Sequence, residues 1–321
     1  METPATLLEA VKFFDDKKNA IDYLAAKRWP NGVICPHCDA DRPMFLENRS
    51  VWKCRKCRKQ FSVKVGTIFE DSPIPLGKWL AATWMLTNCK NGVSSYEVGR
   101  DLGISQKSAW FVLQRIRKAM QDEDNGGKLS GEVEIDETFI GGKARFMHKD
   151  RRESLSPFYR KSGPVGKVAV LGVLERGGRV RTKVVRNIRR GNLNPEIKKN
   201  VELGSAVFTD ALKSYSTLEQ DYVHHVIDHA VSYVEGNVHT NGMENFWSLL
   251  KRGLKGTYIS VDPFHLFRYL DEQAMRFNLR KLTDAERFSH VCSQIAGRRL
   301  TWNEVTGKND VPATEDEGDR F

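Results

Sequence analysis

The chain lacks any apolar run approaching the roughly 20 residues that a membrane-spanning helix requires. It also lacks a recognisable secretory signal, because the segment from Met1 to Ala20 carries acids and lysines without an apolar centre. Neither a serine–histidine–aspartate pattern nor a tyrosine-nucleophile motif is apparent. The first two absences argue against a membrane or secreted protein, and the third is no objection to chemistry that requires no side-chain nucleophile.

The composition is typical of a soluble globular protein with two or three domains: 321 residues, 40% hydrophobic, with a mean hydropathy of -0.50. The net charge of +10 is concentrated, since the segment from Lys143 to Arg190 has 15 Lys or Arg against 3 acids. The remainder of the chain is therefore slightly acidic. Such focusing is expected of contact with a phosphate backbone, although charge runs are more often solvated faces.

Two Cys-x-x-Cys motifs stand near the amino terminus, Cys35-Pro-His-Cys38 and Cys54-Arg-Lys-Cys57, with 15 residues between them. This spacing is typical of a four-cysteine zinc ribbon, in which each tight turn supplies two thiolates to one tetrahedral ion. Disulfides are the alternative, and a reducing compartment disfavours them. Because four protein thiolates leave no open position, the zinc would be structural. Zinc ribbons bind nucleic acid or protein, and the motif does not distinguish these partners.

A helical region follows the cysteines. Leu76 to Leu86 has apolar residues at helical spacing, and two further helices are predicted on either side of Gly103, the second running from Gln106 to Met120. This pattern is typical of a helix-turn-helix, although a plain three-helix bundle with a basic exterior has the same pattern. As a DNA reader, its second helix would present side chains that include Gln106, Lys107 and Arg115.

Beyond a glycine-rich linker the pattern changes to strands. Val133 to Gly142 is a short β-prone segment that carries Asp136 among apolar neighbours. A buried carboxylate is costly unless it is paired, hydrogen-bonded or bound to a metal. The alternative is a solvated edge strand whose acids face water.

Two alternating segments, Lys167 to Glu175 and Val180 to Val185, form a predicted hairpin. A candidate helix from Asn194 to Leu203 and a short buried strand that ends in Asp210 come next. Three antiparallel strands, a helix and a further strand are the opening of an RNase H-like fold, whose two central strands would bring Asp136 and Asp210 together. Two convergent carboxylates repel unless one protonates or a divalent cation such as Mg²⁺ lies between them.

A third acid, Glu244, begins an amphipathic helix within the segment from His239 to Arg252. Asn241-x-x-Glu244 also has the form of a capping box, so Glu244 could serve only to satisfy backbone amides. Basic residues at the end of this segment and just after it would hold DNA phosphates; they are Lys251, Arg252 and Lys255.

From about Ala25 to about Trp302 the chain resembles the DDE transposases of bacterial insertion sequences, in the group with an amino-terminal zinc ribbon that is similar to eukaryotic Merlin transposases. The matching stretches are Arg28-Trp29-Pro30 with the first cysteine pair, Phe61-Ser62-Val63 through Gly66-Thr67-Ile68-Phe69, Ile135-Asp136-Glu137-Thr138, Phe208-Thr209-Asp210, and His239-Thr240-Asn241 through Glu244-x-Phe246-Trp247-Ser248-Leu249-Leu250-Lys251-Arg252.

The resemblance implies a metal-dependent nuclease and strand transferase with Asp136, Asp210 and Glu244 as its catalytic triad, holding Mg²⁺ or Mn²⁺. It also implies that His239, Asn241 and Lys251 border the site. In some relatives an asparagine takes the third acidic place, so Asn241 is the alternative to Glu244.

We therefore expect a multidomain α+β protein. Its predicted parts are an amino-terminal segment with the zinc ribbon (1–70), a helix-turn-helix-like DNA-binding region (71–125), an RNase H-like catalytic domain with a mixed sheet flanked by helices (131–303), and a disordered acidic tail (304–321). It would bind transposon ends and target DNA as a homodimer or higher oligomer in the bacterial cytoplasm, associated with the nucleoid. The alternative is a catalytically inactive, transposase-derived DNA-binding regulator.

Overall fold

The computed structural model describes residues 4–121, 126–142, 166–210, 212–227 and 239–307. It divides the chain into two compact units: unit 1 comprises residues 1–120 and 282–321, and unit 2 comprises residues 121–281. Unit 2 is thus inserted in sequence between the two parts of unit 1. Within the described ranges, no helix has the length and apolar character needed to cross a membrane.

The helices and strands follow the order of the sequence patterns. Helices of the described residues are α1 (Leu7–Asp15), α2 (Lys17–Arg28), α3 (Leu76–Asn88), α4 (Ser95–Leu102), α5 (Gln106–Met120), α6 (Arg190–Asn200), α7 (Asn241–Gly253), α8 (Leu266–Asn278), α9 (Asp284–Ser293) and α10 (Trp302–Thr306). Strands are β1 (Met44–Leu46), β2 (Val51–Lys53), β3 (Gln60–Phe61), β4 (Glu132–Ile140), β5 (Val168–Glu175), β6 (Val180–Val185), β7 (Ala206–Asp210) and β8 (Val223–Ile227).

The helix pair α4 and α5 forms as its sequence predicts. Ser94 and Glu97 make a complete capping box at the start of α4, and Gly103 ends that helix in the left-handed conformation with φ 59°. Ser105 Oγ then accepts the backbone N–H of Ser108 (3.1 Å) at the start of α5. A Cβ at Gly99 would lie 3.1 Å from Ile104 O, so the chain passes close to this glycine at the turn between the helices.

The last described segment completes the core of unit 1. Phe288 of α9 is fully buried, and its ring centroid lies 5.7 Å from those of Phe14 and Tyr23 and 5.0 Å from that of Trp84. The compact unit therefore takes residues from 282 onward together with the amino-terminal helices. The four-part division expected from the sequence remains a prediction. Its catalytic range, 131–303, extends beyond unit 2, which ends at residue 281.

Two regions that the sequence singles out fall partly outside the described residues. Residues 143–165 of the basic segment from Lys143 to Arg190 lie outside them, as do residues 308–321 of the expected tail. The beginning of that expected tail belongs to helix α10, which ends at Thr306.

The sheet of unit 2 has the strand order β6-β5-β4-β7-β8. β6, β5 and β4 pair antiparallel with one another, whereas β7 pairs parallel with both β4 and β8. The predicted succession of three antiparallel strands, a helix and a fourth strand beside the first is therefore present. Because β4 lies between β5 and β7, the alternative of a solvated edge strand around Asp136 is wrong.

Each face of this sheet carries its own apolar core. Val133 and Ile135 of β4 pack with Leu193 and Ile197 of α6 on one face. On the other face Met243, Phe246 and Trp247 of α7 pack with residues of β5, β6 and α8. Gly172 of β5, paired with Asp136, permits this close approach, since a Cβ there would collide with Met243 and Trp247.

Candidate functional site

Four cysteine sulfurs form the first cluster, which we call the thiolate cluster (Cys35, Cys38, Cys54 and Cys57). All four Sγ atoms lie within 4.8 Å of one another. Two of the separations are 3.7 Å, from Cys35 to Cys57, and 3.6 Å, from Cys38 to Cys54. A tetrahedral zinc with Zn–S bonds of about 2.3 Å places its sulfurs about 3.8 Å apart, so the arrangement fits a structural zinc ion.

Both cysteine turns have the same backbone geometry. The N–H of the first cysteine in each turn donates to a carbonyl five residues later, Cys35 to Ala40 and Cys54 to Lys59, both at 2.9 Å. Asp39 and Arg58, at matching positions, have positive φ values of 55° and 63°. Each Cys-x-x-Cys motif therefore folds as a local turn that presents two thiolates.

The second cluster, the carboxylate cluster, consists of Asp136, Glu137 and Asp210, whose carboxylate oxygens lie within 4.8 Å of one another. Strand register brings them together. The parallel ladder pairs Glu134 with Phe208, and Asp136 and Asp210 each follow two residues later on their strands. The prediction that Asp136 and Asp210 lie close together is thus confirmed. A third acid, Glu137, which was not assigned to the site from the sequence, lies with them.

Asp136 is held from two sides. Its Oδ1 accepts the backbone N–H of Glu137 (2.8 Å), and its Oδ2 accepts the indole N–H of Trp247 (3.0 Å). The pKa of Asp136 is raised to about 6, chiefly by burial and also by the carboxylates of Asp210 and Glu244, while the two hydrogen bonds oppose the shift. The site therefore concentrates negative charge that a divalent cation would offset.

Glu137 is paired with a tyrosine. Tyr215 is fully buried and its hydroxyl donates to Glu137 Oε1. Burial raises the pKa of Glu137 to about 7, an effect that the Tyr215 hydrogen bond opposes and the neighbouring aspartates reinforce. Burial also raises the pKa of Tyr215 well above its usual value, so this hydroxyl remains a donor. The only sequence signal for Glu137 was its place next to Asp136.

Asp136 and Glu137 of the carboxylate cluster line a cavity of about 540 Å³. The lining contains three acids, the three predicted phosphate-binding residues and three other side chains. These are Asp136, Glu137 and Glu244; Lys251, Arg252 and Lys255; and Thr138, Trp247 and Ser248. Glu244 lies in the first turn of α7 and is exposed to this cavity. Hard oxygen donors beside cationic side chains suit a divalent ion and a phosphate group together.

Comparison with known proteins gives a consistent result. A model of the ISXO2-like transposase domain matches residues 128–278, and a model of the transposase zinc-ribbon domain matches residues 15–60. A transposase-like protein of Haemophilus influenzae is 35% identical over 101 residues, which are 31% of this chain and 81% of that protein. The chain belongs to the ISXO2-like transposase family.

Two further relatives extend this comparison. A protein in transposable element ISH50 of Halobacterium salinarum is 27% identical to this transposase-family chain over 254 residues, which are 76% of the chain and 85% of the relative. The male abnormal protein mab-31 of Caenorhabditis elegans is 36% identical over 107 residues, 29% of the chain and 25% of that protein. No solved structure matches the chain.

Within the transposase domain the two candidates for the third catalytic place, Glu244 and Asn241, have different surroundings. Thr240 is the N-cap of α7 and, among the described residues, its side chain makes no capping bond. The Asn241–Glu244 capping box is therefore not formed, and Glu244 lines the cavity instead. Asn241 is exposed and is not part of the cavity lining. His239 is held elsewhere, with its carbonyl accepting Arg176 Nη2 (2.7 Å).

The predicted DNA-contacting residues of α5 fall into two groups. Gln106 and Lys107 are exposed; Gln106 Nε2 donates to Ser95 Oγ (2.9 Å), and Lys107 Nζ lies 4.8 Å from the Trp302 ring centroid. Arg115 is different, since it is only 4% exposed.

The expectation that Arg115 faces DNA is corrected by its contacts. Its guanidinium donates to the carbonyls of Leu300 (2.7 Å), Ile68 (2.9 Å) and Glu70 (2.7 Å). A buried guanidinium engaged with three backbone carbonyls holds segments of unit 1 together and is not presented to a ligand.

Proposed function

We propose that this chain is an insertion-sequence transposase that binds terminal inverted repeats and catalyses metal-dependent DNA cleavage and strand transfer. One observation carries the proposal: three carboxylates converge beside a cavity, and two of them, Asp136 and Glu137, line it together with Glu244 and three cationic side chains. Carboxylates at this separation suit divalent cations, and lysine and arginine suit the phosphates of a DNA strand.

In this proposal Asp136, Asp210 and Glu244 are the catalytic triad and hold Mg²⁺ or Mn²⁺, with Glu137 as an additional oxygen donor. The bound ions would supply Lewis-acid stabilisation and activate the attacking oxygen for in-line displacement at phosphorus. Trp247 fixes the orientation of the Asp136 carboxylate through its indole N–H.

The reaction exchanges one bond at phosphorus for another. In cleavage, the oxygen of water bonds to phosphorus and the 3′-oxygen of the transposon strand leaves as a hydroxyl. In joining, that 3′-hydroxyl attacks a target phosphodiester and displaces the target's own 3′-oxygen. Lys251, Arg252 and Lys255 would bind the phosphates on either side of the reacting bond.

Recognition of the terminal repeat is assigned to the zinc ribbon and to the exposed start of α5, where Gln106 and Lys107 lie. Because two transposon ends must be joined in one event, we expect a homodimer or higher oligomer on DNA. Activity on chromosomal and element DNA implies work at the bacterial nucleoid. A transposase-derived regulator that binds DNA without cutting it is the competing function, and the cavity with its intact acids favours the enzyme.

The test is cleavage and joining of a labelled duplex that carries the terminal repeat flanking the gene, with Mg²⁺ or Mn²⁺. We expect wild type to cut and join, and Asp136→Asn and Glu244→Gln to lower both rates on the order of a thousandfold, since lost metal stabilisation amounts to several kcal/mol. Asn241→Ala is the matched control beside Glu244 and should remain active.

Binding of the same duplex is measured in parallel for each variant. DNA that is bound and never cut by wild type would support the regulator. An active Glu244→Gln variant beside an inactive Asn241→Ala variant would instead assign the third catalytic place to Asn241.

A further inference from the structure

A buried carboxylate that the proposed reaction does not use lies next to the site. Glu134 is only 1% exposed and stands on β4 two residues before Asp136. Its side chain points to the sheet face covered by α7, where it bonds the helix backbone. A buried ionised carboxylate needs specific partners, because its hydration is lost.

The first partner of Glu134 is the start of α7. Glu134 Oε2 accepts the backbone N–H of Met243 (2.9 Å), in the first turn of that helix. Thr240 supplies no side-chain cap within the described residues, so a carboxylate from the neighbouring strand does what an N-cap residue ordinarily does. Gly242 makes room for it, since a Cβ there would lie 2.7 Å from Glu134 Oε2.

The second partner is Arg176, in the turn between β5 and β6. Its Nε donates to Glu134 Oε1 (2.9 Å), and its Nη2 donates to the carbonyl of His239 (2.7 Å), just before α7. The guanidinium also lies 4.0 Å from the ring centroid of Phe208, two residues before Asp210 on β7. Glu134 and Arg176 therefore connect the two aspartate-bearing strands to the start of the helix that carries Glu244.

We propose that Glu134 is a positioning residue that fixes the first turn of α7 to β4 and thereby sets the place of Glu244 relative to Asp136 and Asp210. Met243, whose N–H it binds, directly precedes Glu244 in the chain. The inference rests on the proposed function, in which Glu244 shares divalent ions with the two aspartates.

A purely stabilising ion pair is the competing explanation, and energetics weaken it. Replacing a buried ion pair by apolar side chains of similar volume is often neutral or stabilising, so such a pair is weak evidence for stability. What an apolar pair cannot supply is the directional bond from the strand to Met243 N–H. The specific tie between strand and helix is therefore what Glu134 adds.

The chain offers a matched control on the same strand. Glu132 Oε2 also contacts the Arg176 guanidinium (3.1 Å), yet its side chain is 46% exposed, and the bond to Met243 N–H belongs to Glu134. Glu134→Gln and Glu132→Gln each remove one negative charge from the same arginine. Only the first changes the group that caps α7, because the single carbonyl oxygen of a glutamine leaves its NH2 donor facing either Arg176 Nε–H or Met243 N–H, and both are donors.

The experiment compares these two variants by hydrogen exchange of the amides at the start of α7 and by calorimetric titration with Mn²⁺. We expect Glu134→Gln to speed exchange around Met243 at least about tenfold and to weaken Mn²⁺ binding roughly 10- to 100-fold, the usual loss for a residue that orients a metal ligand. Glu132→Gln should stay within about twofold of wild type in both. Equal behaviour of the two variants would overturn the proposal.

A double variant, Glu134→Met with Arg176→Leu, separates positioning from stability. It removes both charges at similar volume. We expect its thermal midpoint to be close to that of wild type, while exchange at Met243 stays as fast and Mn²⁺ binding as weak as in Glu134→Gln. Recovery of wild-type Mn²⁺ binding in this variant would reduce Glu134 to a stabilising role. Cleavage assays on wild type test the proposed function separately, because neither exchange nor calorimetry depends on DNA being cut.

Discussion

The thiolate cluster and the carboxylate cluster are assembled in opposite ways. Each half of the thiolate cluster is a local turn, with a hydrogen bond that spans five residues and a left-handed residue at the same position. The carboxylate cluster draws Asp136 and Asp210 from two strands far apart in sequence, held by the register of a sheet with apolar cores on both faces. A site built from turns depends on its ion for cohesion, whereas a site built on a sheet is formed before any ion arrives.

The largest expected effect is on the thiolate cluster. Cys54→Ser should abolish zinc retention and unfold the ribbon, because structural zinc contributes about 10–16 kcal/mol to folding in small zinc modules. Zinc content by atomic spectrometry and hydrogen exchange across residues 30–61 measure this. The sheet of unit 2 should keep its protection, and a zinc chelator should have the same selective effect.

Cys89→Ser is the control, since Cys89 lies outside the thiolate cluster. It should retain zinc and the exchange pattern of wild type. A Cys54→Ser protein with full zinc content, or a ribbon that stays protected after chelation, would contradict the contrast between the two clusters.

The next effect concerns the carboxylate cluster. Asp136→Asn should lower cleavage on the order of a thousandfold and yet leave the thermal midpoint equal to or above that of wild type. The pKa of Asp136 is raised to about 6 in the folded protein, so its ionised form weakens the fold above that pH. Asparagine removes this charge, and its single carbonyl oxygen can accept the Trp247 indole N–H but not also the Glu137 backbone N–H, so we expect the removed charge to outweigh one lost hydrogen bond. Calorimetric melting at pH 7 checks the sign; a marked fall in the midpoint would show that the sheet needs the carboxylate.

How well the sequence predicted each cluster depends on how far apart in sequence the contacting residues are. Cysteine spacing specified the ribbon directly, because both turns are local. The β4–β7 pairing also followed from the order of elements, and with it the meeting of Asp136 and Asp210. Glu137 was not assigned, since strand alternation separates it from Asp136 and its tyrosine partner is 78 residues away.

Two other residues show the same limit. Arg115 lies on a helix with many basic side chains, and only carbonyls 45 to 185 residues away reveal that it is buried. Glu134 reads as one of several acids in an acidic strand, while the amide that it caps is 109 residues further on. Patterns of two to five residues predict turns, helices and strands; they do not specify which distant backbone group a buried charge will bind.

A smaller effect tests the dependence of the carboxylate cluster on packing. Gly172→Ala should destabilise unit 2 by about 2 kcal/mol, because the new Cβ would collide with Met243 and Trp247 on the α7 face. Urea unfolding followed by circular dichroism measures the change. Gly191→Ala in α6 is the matched control, since nothing lies within 4 Å of its Cβ position, and it should be neutral or slightly stabilising. Equal stability of the two variants would mean that α7 does not need this close contact.

The smallest expected effect comes from Trp247→Phe. It removes the indole N–H that orients Asp136 and keeps most of the apolar surface, so cleavage should fall about fivefold to tenfold, or ~1 kcal/mol. Single-turnover cleavage rates give the comparison, with Trp302→Phe in unit 1 as the control. A loss as large as that of Asp136→Asn would place Trp247 among the groups that act directly in the reaction.

The division of unit 1 between the two ends of the chain has a consequence during synthesis. Phe14, Tyr23 and Trp84 leave the ribosome early, and Phe288, whose ring packs against theirs, emerges only after all of unit 2 has been translated. At about 5–20 residues per second, the interval between Trp84 and Phe288 is roughly ten to forty seconds. During that interval the nascent chain lacks the Phe288 ring that packs against Phe14, Tyr23 and Trp84. A truncated messenger RNA that ends within unit 2 would therefore yield a polypeptide whose unit 1 is incomplete and accessible to chaperones and proteases.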